Sequence, residues 1–315
     1  MKKEKNNPII FIIIVVIIGL LIVATCLWYS NKKSYETDKV EGLDKLGKIT
    51  AVSRESGSGT RTEFNSILGI KAAVYHAYKE NTRTEFNSIL GIKEEMQGSD
   101  LNEVKSTNEV LRLVSQNESA IGYCSAGSVN DGGKYKSLKV NGTGISDKNG
   151  RYPLSRPFFL AWIGKLNDVE QDFLTYVKSK GQRIVGEYYT CVSSVSSFLS
   201  TKPEGNITIT GSSSMAPLLR QLAAEYMTLN NKANIIVISS DTDNGINETL
   251  KSSSDMAMCS RELVDYEKEL LEFEVIARDQ IAVVVNSRNP LKNITTDHLK
   301  DIYTNQITDW GSLYE

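Results

Sequence analysis

Short apolar runs, each followed by a polar turn, recur along the second half of the chain. Consecutive apolar residues between turns predict buried strands, and apolar residues spaced three or four apart predict amphipathic helices. The predicted strands are 207–209, 235–238, 256–258 and 281–285, and the predicted helices are 218–227, 246–251 and 297–303. This alternation predicts an α/β fold with mostly parallel sheets, in which a ligand binds at the carboxyl ends of the strands.

The first half of the chain carries the same kinds of element. A strand at 49–52 leads into a glycine-spaced turn and then into a helical pattern with Phe64, Ile67 and Leu68 on one face. Further strands are predicted at 120–124 and 158–163, and further helices at 169–177, at 184–188 and after the capping-box pattern 106–109. A polar break at 201–205, which contains Pro203, marks an internal joint of the chain.

The N-terminal region has the pattern of a membrane-targeting segment. Residues 9–29 contain no charged residue, and Lys2, Lys3 and Lys5 precede them. A stretch of this length can span a bilayer, and the lysines favour a cytoplasmic N-terminus. We therefore predict that residues 1–29 are a membrane anchor or signal segment, that 30–47 form a polar tether, and that the rest lies on the extracellular side of the cell membrane.

Cys26 offers an alternative mode of attachment. The stretch Val23-Ala24-Thr25-Cys26 resembles the lipobox at which bacterial lipoproteins are cleaved and acylated, so Cys26 is a candidate lipidation site. However, Thr25 is bulky for its position, and the apolar run continues to Tyr29, where a polar tether would be expected. The pattern therefore favours an uncleaved helical anchor.

The composition argues against several classes of protein. The formal net charge is −2 and no basic stripe occurs away from the N-terminus, which argues against nucleic-acid binding. The four cysteines form no Cys-x-x-Cys pair, so neither a zinc site nor a disulfide framework is expected, and no cofactor is implied. A single Cys124–Cys191 bridge and buried free thiols both remain open. We expect His76 and His298 to be surface residues.

One segment of the chain occurs twice. Residues 60–71 recur letter for letter as residues 82–93. Two copies do not make a solenoid, so we interpret them as a local tandem duplication. Only the first copy directly follows the glycine-spaced turn, and the second copy is predicted to form an additional amphipathic helix on the surface.

Two turns rich in glycine and hydroxyl residues carry the candidate chemistry. The first, Gly57-Ser58-Gly59-Thr60, lies between a strand that ends near Arg54 and a helix. Glycines let backbone N–H groups approach a ligand, and a helix start aims unpaired N–H groups at the same point. Together with two hydroxyls and a guanidinium, these donors suit a small oxyanion. A Ser/Gly turn with an ordinary N-cap is the alternative, and the second turn, 211–217, favours the oxyanion.

Several ordered stretches resemble the phosphate-binding proteins that serve the bacterial phosphate ABC transporter. They are 207–217 (ITITGSSSMAP), 256–262 (MAMCSRE), 279–290 (DQIAVVVNSRNP), 299–310 (LKDIYTNQITDW), 53–60 (SRESGSGT) and 120–130 (AIGYCSAGSVN). The resemblance covers nearly all of residues 48–315. It implies a two-lobed α/β fold of the periplasmic-binding-protein-like type II, extracytoplasmic binding of inorganic phosphate, and delivery of that phosphate to the permease subunits of an ABC transporter.

The order of these stretches is rotated relative to the family. The usual member begins with the stretch found here at about residue 206 and ends with the piece that here follows the tether. Residues 206–315 and 48–200, joined head to tail, make one complete domain, so a circular permutant is predicted. A truncated tandem fusion is the alternative. In the solute-binding domain 48–315, the resemblance implies one lobe of about 48–150 plus 278–315 and another of about 151–277.

The resemblance also implies a set of phosphate contacts from both lobes. They are Arg54, Ser58, Gly59 and Thr60 from the first lobe, and Ser213, Ser214, Thr242 and Ser260 from the second. Arg54 is expected to supply the main positive charge. Structural alternatives stay open, because Ser213 and Thr242 are good N-caps and Arg261 can pair with Glu262 or Asp265 at the surface.

One residue departs from the family pattern. Many relatives have an aspartate where this chain has Ser260. A carboxylate there accepts the hydrogen of monohydrogen phosphate and repels fully ionised sulfate. Asp241 or Asp243 could take this role, and phosphate stays the expected ligand.

Two other functions fit parts of the pattern. A serine hydrolase or phosphatase would use Ser58 or Ser213, but it needs a base near the serine or a metal cluster. The sequence has neither a Gly-x-Ser-x-Gly elbow nor an Asp/His metal pattern, so we predict no enzyme activity. A membrane-tethered sensor or interaction module would bind the anion without delivering it, and this alternative to transport stays open.

Overall fold

The computed structural model describes residues 40–70, 101–130, 132–145, 147 and 151–314. The predicted anchor with Cys26, most of the tether, His76 and the second repeat copy lie outside the described residues. None of the helices in the described ranges is both long and apolar enough to cross a membrane. Residues 40–315 belong to one compact unit.

Strands and helices alternate along the described chain. The strands are β1 (Thr50–Arg54), β2 (Asn102–Val104), β3 (Ala120–Ser125), β4 (Tyr135–Ser137), β5 (Lys139–Val140), β6 (Ser155–Trp162), β7 (Gly205–Ser212), β8 (Ala233–Ser240), β9 (Met256–Cys259), β10 (Glu272–Asn286) and β11 (Asn293–Ile294). The helices are α1 (Gly59–Ile67), α2 (Thr107–Gln116), α3 (Asp168–Val177), α4 (Gln182–Tyr188), α5 (Ala216–Leu229), α6 (Thr242–Leu250), α7 (Asp265–Leu270) and α8 (Thr296–Tyr303).

The main sheet has the strand order β2-β1-β3-β10-β6-β9-β7-β8, and β4 also pairs with β10. The outer pairs, β1 with β2 and β3, and β7 with β8 and β9, are parallel. The central strands β10 and β6 run antiparallel to their neighbours. The sheet is therefore mixed, and the prediction of mostly parallel pairing is correct only at its two sides.

The long strand β10 connects the two sides of the sheet. Its first part, up to Gln280, pairs with β6, and its second part, from Ile281, pairs with β3 and β4. The sequence predicted only 281–285 as a strand. The first part of β10 leaves some side chains exposed, and charged residues such as Glu272, Glu274 and Arg278 interrupt its apolar pattern. This part therefore lacks the continuous apolar run that predicts a buried strand.

A separate hydrophobic core lies beside each group of parallel strands. Phe158, Phe173 and Leu219 belong to the core beside β7, which packs α3 and α5 against the sheet. Phe64 and Tyr123 belong to the core beside β1, where their rings stack with centroids 4.0 Å apart. Burial of a phenylalanine side chain contributes about 1.5–3 kcal/mol. The stacking therefore fixes α1 against β3, and with it the turn that precedes α1.

The chain returns to its starting point at the end of the described domain. The Ile49 N–H donates to the Thr308 carbonyl at 2.8 Å, and the Trp310 N–H donates to the Gly47 carbonyl at 3.0 Å. Lys48 and Asp309 form an antiparallel bridge between these two bonds. Residues 47–49 and 308–310 are therefore neighbours in space.

The structure decides the state of two cysteines and the location of His298. Cys124 and Cys191 are both free thiols, Cys124 buried and Cys191 exposed, so the structure does not contain the bridge that the sequence left open. His298 is half-buried and not the surface residue that was expected. Its Nδ1 atom is buried and has no hydrogen-bond partner among the described residues.

Candidate anion-binding site

Polar residues that follow the carboxyl ends of parallel strands meet inside the described domain. Thr60 follows β1, Ser214 follows β7 and Ser260 follows β9, and each is at most 1% exposed. Buried hydroxyls must find hydrogen-bond partners, since an unpaired polar group away from water is costly. The contacts among these residues therefore define the site.

Gly59 brings the first turn into direct contact with Thr242, which follows β8, and with Ser260, which follows β9. A Cβ atom at Gly59 would lie 2.5 Å from Thr242 Oγ1 and 2.7 Å from Ser260 Oγ. Only glycine permits this approach. The preceding Ser58 is the N-cap residue of α1, but its side chain makes no capping hydrogen bond. The turn is therefore the N-cap turn that the sequence left as an alternative, but it has no capping bond to a hydroxyl.

Two hydroxyl clusters hold the turns together. In the first, Thr60 Oγ1 and Ser214 Oγ share a hydrogen bond of 2.9 Å, and Thr107 Oγ1 lies 3.4 Å from Ser214 Oγ. In the second, the Ser260 N–H donates to Thr242 Oγ1 at 3.3 Å, and the Ser212 hydroxyl donates to Ser260 Oγ at 2.8 Å. The clusters thus collect the N-terminal residues of α1, α2 and α6 and the turn before α5.

The helix starts around these clusters favour a negative charge. The first turn of a helix has N–H groups without intrahelical partners and carries the positive end of the helix dipole. Thr242 is the first residue of α6, and Asp241 caps that helix by accepting the Asn244 N–H at 2.9 Å. Met215 is the N-cap residue of α5. The alternative that Ser213 and Thr242 serve as N-caps is therefore wrong.

Ser213 has a free hydroxyl in the described structure. Its Oγ atom is buried and lacks a hydrogen-bond partner among the described residues, while its N–H donates to the Ser240 carbonyl at 3.0 Å. A buried hydroxyl without a partner is uncommon and calls for an explanation such as a ligand.

Arg54 is buried at the end of β1, and its guanidinium bonds Glu55 and Lys105, which lie close to that strand end. Its Nη2 atom pairs with Glu55 and donates to the Lys105 carbonyl at 3.2 Å, and its Nε atom is buried without a partner in the described residues. Within the described ranges, this guanidinium makes no hydrogen bond to the other predicted contact residues. Ser53 and the Arg54 N–H bond Tyr123 Oη at 2.8 and 3.3 Å, which fixes the strand end.

The guanidinium that reaches both clusters belongs to Arg156, which sequence reasoning missed. Its Nη1 atom donates to Thr60 Oγ1 at 2.7 Å and to the Ser260 carbonyl at 3.2 Å. Its Nε and Nη2 atoms donate to Asp279 Oδ2 at 3.0 and 2.8 Å. The signal in the sequence was a single arginine before the apolar run 158–163, since a charged residue in a buried strand needs a partner.

Asp279 is held on both carboxylate oxygens. Ser125 Oγ donates to Oδ1 at 3.0 Å, opposite the bonds from Arg156. Burial raises the pKa of the Asp279 carboxyl, and the charge and hydrogen bonds of Arg156 act to lower it. Arg156 and Asp279 are both almost fully buried. Removal of either residue would therefore leave the other as an unpaired buried charge, which is strongly destabilising.

Arg261 is buried, so the alternative in which it pairs with Glu262 or Asp265 at the surface is wrong. Its guanidinium bonds both carboxylate oxygens of Glu267 at 2.7 and 2.8 Å, and it pairs with Asp243 at 2.8 Å. Burial alone would lower the pKa of Arg261, but the two carboxylates raise it above its ordinary value. Because Asp243 pairs with Arg261 and Asp241 caps α6, both candidate substitutes for the family aspartate already have other partners.

Three comparisons with known proteins place these findings in context. Residues 196–313 match the family model described as a PBP superfamily domain. The phosphate-binding protein PstS 2 of Streptococcus agalactiae serotype V is 35% identical over 275 residues, which are 85% of this chain and 88% of that protein. The crystal structure of a phosphate-binding protein of a phosphate ABC transporter from Streptococcus pneumoniae TIGR4 is 31% identical, with a TM-score of 0.65, and the match covers 85% of this chain and all of that one.

Proposed function

The chain belongs to the family of phosphate-binding proteins of bacterial phosphate ABC transporters, and on this premise we propose that it binds inorganic phosphate outside the cell and delivers it to a transporter permease. The observation that carries the proposal is the contact of Gly59 and Thr60 with Ser214, Thr242 and Ser260. Four segments meet there, those that follow β1, β7, β8 and β9, and the first three lead into the helices α1, α5 and α6. Such an arrangement of N–H and hydroxyl donors stabilises a small oxyanion.

The proposed contacts are those that the family resemblance implies. They are Arg54, Ser58, Gly59, Thr60, Ser213, Ser214, Thr242 and Ser260. Ser213 Oγ and Arg54 Nε support the proposal most directly, because both are buried polar atoms without partners among the described residues. A phosphate oxygen would supply the missing acceptor for each of them.

The domain is proposed to have two lobes that close on the anion. One lobe would contain about 48–150 with 278–315, and the other about 151–277. In support, β10 changes its partner from β6 to β3 at Gln280, and the two sides of the sheet have separate cores. The contact of the turn at Gly59 with Thr242 and Ser260 is the kind of contact that closure of the two lobes would make.

A circular permutation is proposed for the order of the stretches. The pairing of residues 47–49 with 308–310 supports it, because a joined chain could pass directly from one end to the other. A rearranged chain of 206–315 followed by 48–200 through a short linker should then fold and bind phosphate. Cooperative folding and phosphate binding by 206–315 alone would contradict the single-domain assignment.

The chain is also proposed to be attached to the cell membrane, with its binding domain on the extracellular side. Residues 1–29 would anchor the chain, or Cys26 would carry a lipid, and 30–47 would act as the tether. Protease added to intact protoplasts should remove residues 48–315. Full protection of these residues would contradict the assignment, and fatty-acid labelling at Cys26 would favour the lipoprotein.

The proposal does not include hydrolysis. Ser213 is one of the two serines that a hydrolase would use, and a nucleophilic serine needs an adjacent base. Ser213 Oγ has no hydrogen-bond partner in the part of the chain that the structure describes. The named relatives are likewise binding proteins.

Titration of phosphate-free protein with inorganic phosphate tests the proposed function. A ligand that binds only the folded state stabilises it by about 2.7 kcal/mol at 100 times its dissociation constant. We expect saturable binding by calorimetry and a rise of several degrees in melting temperature. Chloride at equal ionic strength is the control, and the absence of both signals with phosphate would reject the proposal.

A further inference from the structure

Arg156 is a buried charge that joins two sides of the proposed site. It lies in β6 opposite Asp279 of β10, next to the point where β10 changes its pairing partner from β6 to β3. Its contacts with Asp279 occupy the Nε and Nη2 edge of the guanidinium, which fixes the plane of the group. The Nη1 atom is thereby held toward Thr60 and Ser260.

The bond from Arg156 determines how the Thr60 hydroxyl can act. A guanidinium has five N–H donors and no acceptor. Thr60 Oγ1 must therefore accept the hydrogen bond from Nη1, and the Thr60 hydrogen must point to another atom. Ser214 Oγ, 2.9 Å away, is within its reach. The oxygens of an anion bound between the turns would be a stronger acceptor for the same hydrogen.

We propose that Arg156 is a positioning residue of the phosphate site. Asp279 holds the guanidinium, and the guanidinium turns the Thr60 hydroxyl into a donor toward the anion while it adds positive charge beside Ser260. The inference rests on the proposed function, since it assigns a role to Arg156 only at that site. The site would then have a second arginine in addition to Arg54, and Arg156 would act on the anion through the Thr60 hydroxyl.

A double-mutant cycle separates this role from a purely structural one. Arg156→Gln alone would leave Asp279 as a buried unpaired charge, so the cycle uses the paired variant R156Q/D279N, which removes both charges. In the parent, Thr60→Val should raise the dissociation constant for inorganic phosphate roughly tenfold or more. In R156Q/D279N, the same substitution should change it by less than about threefold, because Thr60 no longer receives the bond from Arg156.

A second background covers the case in which the paired variant does not fold. Arg156→Lys keeps a positive charge beside Asp279, but an ammonium cannot supply the planar fork that spans Asp279, Thr60 and Ser260. The effect of Thr60→Val should again be smaller than in the parent. Circular dichroism and the melting temperature of the unliganded variants establish that each is folded.

The exposed pair Arg288–Glu118, with N and O atoms 2.8 Å apart, offers a matched control. R288Q/E118Q removes the same two charges from the surface and should leave the effect of Thr60→Val as it is in the parent. An equal effect of Thr60→Val in all backgrounds would overturn the inference, and so would parental phosphate affinity in R156Q/D279N. If the parent itself binds no phosphate, the proposed function fails first and the inference falls with it.

Discussion

The hydroxyls of Thr60 and Ser214 share a buried hydrogen bond of 2.9 Å across 154 positions of the chain. The first lies in the first turn of α1, and the second lies just before α5. Because both side chains are buried, the bond keeps two helix starts beside each other. An anion between them would receive N–H and O–H donors from both, so its binding and the contact of the two turns should depend on each other.

Arg54→Ala tests the arginine that the family resemblance assigns to the anion. We expect the dissociation constant for phosphate to rise by roughly tenfold to a hundredfold, because a hydrogen bond to a charged group contributes about 1.5–3 kcal/mol. The unliganded fold should persist with a lower melting temperature, because Glu55 loses its charged partner: its side chain is 18% exposed, but its Oε2 atom is buried. Calorimetry and melting curves measure the two effects. The exposed Arg112→Ala is the control, and unchanged affinity in Arg54→Ala would remove this residue from the site.

Gly59→Ala tests the close approach of the first turn to Thr242 and Ser260. The new methyl group would lie 2.5–2.7 Å from their hydroxyl oxygens, which is too close for a carbon atom. Overpacking of this kind costs about 1–3 kcal/mol, so phosphate binding should weaken by roughly fivefold to a hundredfold. Gly144→Ala has its nearest atom at 4.0 Å and should bind phosphate like the parent. Equal affinities of the two variants would show that the turns do not need this contact.

Ser260→Asp tests the departure from the family pattern. An aspartate there can accept the hydrogen of monohydrogen phosphate, whereas sulfate offers only acceptors and would be repelled. The ratio of sulfate to phosphate dissociation constants should therefore rise by about tenfold or more over the parent. Competition of sulfate against bound phosphate measures this ratio. The exposed Ser253→Asp makes the same change in net charge, and a ratio that rises equally in both variants would exclude a local effect.

We expect His298 to make the stability of the protein sensitive to acid. Burial lowers the pKa of this histidine below its ordinary value of 6.5, although Asp301 and Asp297 act to raise it. Protons then bind the unfolded state more readily than the folded state, so this contribution to stability is present at neutral pH and is lost as the pH falls through 6.5 toward the folded-state pKa.

The variant His298→Gln isolates that contribution. Urea unfolding at pH 7.5 and pH 5.5 should show a smaller loss of unfolding free energy in the variant than in the parent, under the same buffer conditions, because glutamine does not titrate. Equal losses in the two proteins would show that the half-buried imidazole does not cause the acid sensitivity.

Local features of the sequence were enough to predict most strands, helices and turns. The run 120–124 lies within β3, and Ser106 caps α2 by accepting the Glu109 N–H at 3.2 Å. The turn at Gly57 and Gly59 was also recognisable, because glycine and hydroxyl residues before a helix have a short-range physical meaning. The periodicity of apolar residues and the capping of helices each depend on a few neighbouring residues, so both can be predicted from a single sequence.

The sequence by itself determined the α/β class and the hydroxyl-rich turns, whereas the tertiary structure decided which charges meet there. Arg156 and Asp279 are 123 positions apart and become partners through the register of β6 on β10. Arg261 likewise bonds Glu267 in the interior, although its sequence neighbours include other carboxylates. The partner of a buried charge depends on strand register and on exclusion of water, and both arise only when distant segments pack together.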